Sequence, residues 1–129
     1  MKVGNFLNYH EEKGYYLSST IEKENSFAVI FDAEKKLACS IEVETKGTWE
    51  SLIDTGNPNK RLMSVDEFNQ ILETESLQKS LRRVWDTSFW LGHRIGYRAL
   101  LTHWNSHDES IVKCAPMKSK EDVLFVYCL

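Results

Sequence analysis

From Ser76 to about Asn105 the chain runs without a proline, and apolar residues recur every three or four positions. That spacing predicts the longest element of the fold, a helix over 76–105 or a pair of helices meeting near Gly92–Gly96. At 100° per residue one face collects Leu77, Leu81, Val84, Trp85, Ser88, Gly92, Ile95, Gly96 and Ala99, with large residues first and small ones later. The opposite face carries Trp90, Tyr97 and Trp104 at a spacing of seven, beside Arg83, His93, Arg94 and Arg98. Within Leu77–Asn105 five basic residues stand against one acid, Asp86, a local charge of +4 in a chain whose net charge is −3. Aromatics among arginines are the composition of protein-interface hot spots, and they also suit stacking on single-stranded nucleic acid. The competing reading buries the stripe under a neighbouring helix, with the arginines lying over the rings.

Strands are expected on either side. Leu37, Cys39, Ile41 and Val43 alternate with polar or small residues through Lys36–Thr45, a period of two that puts one face in a core. Ser26–Asp32 precedes it, and the turn-like Ala33–Lys35 between them predicts an antiparallel hairpin. Tyr15–Ile21 reads as a third strand, and residues 2–10 as an edge strand. Thr48 is placed to cap a short helix through Trp49, Leu52 and Ile53, ended by Gly56 and Pro58. Ser64 and Glu67 form the S-x-x-E of a capping box, followed by Phe68, Ile71 and Leu72 at helical spacing. Ser110–Ala115 and Val123–Cys128 return to sheet. The expected class is therefore α+β: an antiparallel sheet of N-terminal hairpins plus a C-terminal hairpin, packed against a long central helix or helix pair and one or two short helices. Residues 1–129 are expected to form a single domain, since 129 residues is the size of one.

Composition narrows the function classes. Hydrophobic residues at 42% and aromatics at 12% supply enough apolar area to argue against disorder. No apolar run approaches the roughly 18 residues that span a bilayer, and MKVGNFLNYHEEKG lacks the apolar core of a signal peptide. A cytoplasmic protein with no membrane partner is the expectation. Cys39, Cys114 and Cys128 are odd in number and include no C-x-x-C pair, which speaks against a disulfide framework or a zinc ribbon. All three are expected to be buried thiols.

Candidate chemistry is sparse. Leu52-Ile53-Asp54-Thr55-Gly56 resembles the core of the aspartic-protease motif, but Asn57 follows the glycine and no second signature occurs, so D-T-G-N-P reads as a turn. His103 and His107 are four apart and are weak candidates for metal ligands; Trp104 stands where an H-E-x-x-H site needs its glutamate. His10-Glu11-Glu12 sits in a polar stretch before Gly14. There is no G-x-G-x-x-G, P-loop or G-x-S-x-G, so no cofactor is expected.

What remains is a small acidic chain with charged surfaces. By analogy of class, its size and acidity fit an inhibitor of the immunity or antitoxin type, which neutralises a partner protein such as a toxin or nuclease by occluding it. Trp90, Tyr97, Arg94, Arg98, Trp104 and Arg83 are the expected interface. Glu22, Glu24, Glu42, Glu44 and Glu50 form a competing acidic one. Nucleic-acid or nucleotide binding through the basic aromatic helix 77–105 is the alternative, and a small enzyme of unknown class is a second, which a cleft holding His93 or His103 near a carboxylate would favour. Outside 77–105 the chain sums to −7, so the molecule is electrically two-sided.

Overall fold

The computed structural model describes residues 1–84, 86–104 and 110–129. Its elements are β1 (Phe6–His10), β2 (Gly14–Ser18), β3 (Ser26–Asp32), β4 (Leu37–Ser40), β5 (Thr45–Gly47), α1 (Trp49–Leu52), β6 (Lys60–Leu62), α2 (Val65–Glu73), β7 (Thr87–Ile95), β8 (Arg98–Trp104), β9 (Ser110–Pro116), β10 (Glu121–Val123) and β11 (Phe125–Cys128). A six-stranded sheet has the order β2-β1-β3-β4-β11-β6, and a five-stranded sheet the order β5-β10-β7-β8-β9. The main core lies between them: Phe6, Val29, Phe31 and Cys39 from the first sheet, Phe89, Leu91 and Trp104 from the second, and Phe68 and Ile71 from α2.

This overturns the α+β expectation. The protein is mostly β, about 46% strand and 16% helix, and among the described residues there is no long central helix. The stretch read as helix 76–105 holds two 3₁₀ turns, Glu75–Leu77 and Arg82–Val84, and then the β7–β8 hairpin. The reason is burial on both faces. Phe89 and Leu91 enter the main core, while Trp90 enters a second cluster with Trp49, Leu62, Ala99, Leu101 and Phe125. A strand covered on both sides loses its period of two, and consecutive apolar residues then imitate a helical pattern. Gly96, read as a small face residue or a helix break, is the first residue of the two-residue turn between the paired Ile95 and Arg98. Its φ of +60° is the left-handed conformation that such a hairpin turn assigns to glycine.

The expected C-terminal hairpin is also absent. β9 pairs with β8, whereas β10 and β11, separated only by Leu124, enter different sheets. β10 runs antiparallel to β5 and parallel to β7, so the second sheet is mixed. The local signals elsewhere coincide with elements: β3 and β4 pair antiparallel, and Thr48 caps α1. Among the described residues no helix is long and apolar enough to cross a membrane. Of the three thiols only Cys39 is buried, and desolvation pushes it up to about 12; Cys128 is half-buried and Cys114 exposed, because β9 is an edge strand.

Ser64 and Glu67 form the capping box of α2, with Ser64 Oγ accepting from Glu67 N and the Glu67 carboxylate accepting from Ser64 N. Arg61 adds a two-pronged ion pair, both N–O distances 2.6 Å. Burial acts to raise the Glu67 pKa, but Arg61 and the Ser64 amide outweigh it and hold the carboxyl below its ordinary value. A depressed pKa stabilises the fold above the ordinary glutamate range, and that contribution disappears as pH falls through the folded-state value. Thermal melts across the acid limb should therefore lose less stability per pH unit in Glu67→Gln than in the parent. Equal slopes would contradict the pair.

Candidate functional site

The two segments that flank the β3–β4 hairpin, one entering β3 and one leaving β4, meet beside the inner strands of the six-stranded sheet. The first is the turn entering β3. Asn25 N and Ser26 N both donate to Glu22 O, at 3.1 and 2.8 Å, and Glu24 adopts a φ of +71° to close the turn. A buried amide fixes this turn to the sheet. Asn8 donates to Phe6 O, Tyr16 O and Ser18 Oγ and accepts from Ser26 Oγ, while Ser26 Oγ accepts from Glu22 N at 2.7 Å. The Tyr16 hydroxyl donates to the Glu22 carboxylate, which raises the Tyr16 pKa because ionisation would destroy that bond.

The second segment leaves β4. Ile41 N donates to Phe27 O at 3.2 Å and Glu44 N to Val123 O at 3.0 Å, so Ile41–Glu44 crosses from one sheet toward the other. Between the segments opens a groove of about 730 Å³. Ile21, Phe27, Ile41 and Val43 give it an apolar lining, and Glu22, Glu24, Glu42 and Glu44 stand against Lys23 and Arg83. It continues past Ile21, Ile41 and Arg83 into a hollow of about 400 Å³ with Phe6, Thr20, Lys79, Ser80 and Arg82. The trough is thus acidic at one end and basic at the other.

The four carboxylates are not equivalent. Glu44 accepts from the Tyr127 hydroxyl and from Ser40 Oγ at 2.9 Å, and lies 3.6 Å from Lys60 Nζ, so it anchors the wall. Desolvation, and then this bond to Glu44, pushes the Tyr127 phenol up. Glu42 pairs with Arg83 across the seam between the two hollows, both side chains exposed. An exposed pair of this kind contributes little stability and opens readily. Glu24 makes no hydrogen bond or ion pair among the described residues and is exposed.

Four of the five acidic candidates therefore come together; Glu50, exposed on the first turn of α1, does not line the groove. The aromatic–arginine stripe is dispersed. Trp90 is 0% exposed with Nε1 donating to Gly47 O, and Trp104 is buried edge-to-face against Phe68. Tyr97, at 92% exposure, stands with exposed Arg94 and Arg98 at the hairpin tip, and Arg83 belongs to the groove. His103 Nδ1 lies 3.0 Å from Ser88 Oγ on the neighbouring strand. His93 is exposed and shares a hollow of about 390 Å³ with the carboxylate of Asp66, the pairing that the enzyme alternative calls for, and with Ser64, whose hydroxyl is committed to capping α2. His107 and Trp85 lie outside the described residues. Among those described, no three potential ligands gather for a metal. Asp54 Oδ1 accepts from Gly56 N, so Asp54-Thr55-Gly56 is a turn.

Sequence reasoning missed Asn8, and it counted Lys79 and Arg82 only toward the basic charge of 77–105, not toward the acidic surface they adjoin. A polar residue inside a strand reads as solvent-facing, but Asn8 shares the period-two face of Phe6, which enters the core. That was the available signal. No protein-family model, curated protein or solved structure matches the chain.

Proposed function

We propose that the protein is a cytoplasmic protein-binding inhibitor of the immunity or antitoxin type, and that the acidic groove is its working surface. The observation that carries this is the convergence of Glu22, Glu24, Glu42 and Glu44 around one apolar floor, from the two segments that flank the β3–β4 hairpin. A lysine or arginine of a partner lays its aliphatic stem along Ile21, Phe27 and Val43 and places its charged head among the carboxylates. Glu42 can exchange its exposed partner Arg83 for such a head. Occlusion of a basic surface, such as a nuclease cleft, requires nothing further from this chain.

Short fluorescent peptides that combine arginines with one aliphatic residue test the groove directly. They are expected to bind, and Glu22→Lys with Glu24→Lys to weaken binding at least about tenfold, which is about 1.4 kcal/mol. Equal binding of acidic peptides, or no effect of the double variant, would sink the reading.

One observation favours the alternative of nucleic-acid binding: Tyr97 is almost fully exposed between Arg94 and Arg98. Its site is then the hairpin tip instead of a helix. Two phosphate contacts to single-stranded DNA would give a log–log salt slope of about −1.4, abolished by Arg94→Ser with Arg98→Ser. A flat salt response removes this alternative.

A further inference from the structure

We propose that the β7–β8 hairpin tip of one copy docks head to tail in the acidic groove of a second copy. This rests on the groove being a site for cationic side chains, and it names the second copy as an occupant. Residues 92–98 are all exposed and include no acid. Arg94 and Arg98 flank the turn, and Ile95 and Tyr97, 57% and 92% exposed, add apolar surface that is left open among the described residues. The groove offers the complement, with carboxylates around Ile21, Phe27 and Val43. No tip residue lines the groove of its own chain.

The tip is held ready for docking. Its turn is two residues long; beyond an irregularity in β7 between Trp90 and Arg94, Arg94 and Ile95 pair with Ala99 and Arg98, and β9 pairs β8 without interruption as far as Arg98 and Pro116. Such an element loses little freedom on association. Because the two surfaces differ, the contact is heterologous: each copy offers a free tip at one end and a free groove at the other, and association propagates. A hairpin tip in a groove buries less than the roughly 1,200 Å² of a stable interface, so the association is weak and concentration-dependent. A cationic partner and a second copy compete for the same carboxylates, so self-docking masks the groove until a tighter occupant displaces it.

Sedimentation velocity on the full chain, from about 10 μM to about 1 mM at low salt, tests this in the range where weak interfaces report. The mean mass should rise above 15.0 kDa with concentration and fall back in high salt. A tip variant (Arg94→Ser, Tyr97→Ser, Arg98→Ser) and a groove variant (Glu22→Gln, Glu24→Gln) should each stay monomeric. Their mixture should form a two-copy complex and stop, because only one tip and one groove remain intact. A parent chain that stays at 15.0 kDa throughout overturns the proposal. So does self-association that survives either set of substitutions, or a variant mixture that fails to associate. Binding of cationic peptides by a permanently monomeric protein overturns self-docking alone, whereas self-association insensitive to the groove variant, with no peptide binding, overturns both readings.

Discussion

Trp90→Ala is expected to lower stability by about 3–5 kcal/mol, a large share of the roughly 5–15 kcal/mol that holds an ordinary domain folded. Trp90 is 0% exposed and packs in the second core cluster with Leu62, Leu101 and Phe125. Its Nε1 donates to Gly47 O at 2.9 Å, tying β7 to β5 across the intervening β10. Alanine removes that donor together with the ring, so a cavity and an abandoned carbonyl add up. Tyr97→Ala, seven residues on, should change stability by less than about 0.5 kcal/mol, because its ring touches mainly solvent. Urea melts of the two variants decide the matter. Similar losses for both would be the outcome of an exposed helical stripe and would contradict the hairpin.

Asn8→Ala should cost about 2–4 kcal/mol, since roughly 1–3 kcal/mol is lost for each buried group left without its partner. The Asn8 amide serves Phe6 O, Tyr16 O, Ser18 Oγ and Ser26 Oγ at once. Its loss also releases the Glu22–Ser26 turn, so affinity for cationic peptides should fall along with stability. Asn8→Asp, which sets a buried carboxylate against Phe6 O and Tyr16 O, should be at least as damaging as alanine to both stability and peptide binding. Parent-like stability in Asn8→Ala would show that the turn is held by other contacts.

These two residues mark how far the sequence could be read. Signals carried by local chemistry appear in the fold: the Ser64–Glu67 capping box begins α2, Thr48 caps α1, and Ser26–Asp32 is a strand. The β7–β8 hairpin was hidden because both faces of Phe89–Leu91 are covered, and because Trp90, Tyr97 and Trp104 at a spacing of seven mimic one helical stripe. In the strands they belong to two core clusters and one exposed turn. At the candidate site, acidity was visible residue by residue, and the expected β3–β4 hairpin already brings Glu22 and Glu24 toward Glu42 and Glu44, but the full lining of the groove was not visible. It depends on the turn entering β3 and the segment leaving β4 lying side by side, and on a 3₁₀ turn that places Arg82 and Arg83 against both. The alternation of Phe6 and Asn8 was the one overlooked pattern that pointed inward.

The short link through Leu124 has a consequence for how the chain is made. β11 lies between β4 and β6 inside the six-stranded sheet, and Cys128 pairs with Leu37. At ribosomal rates of about 5–20 residues per second, roughly 4–18 s separate the synthesis of β4 from that of β11. Throughout that interval β4 offers a bare, apolar strand edge, the template on which nascent chains aggregate. The six-stranded sheet can therefore close only once residue 128 has been made.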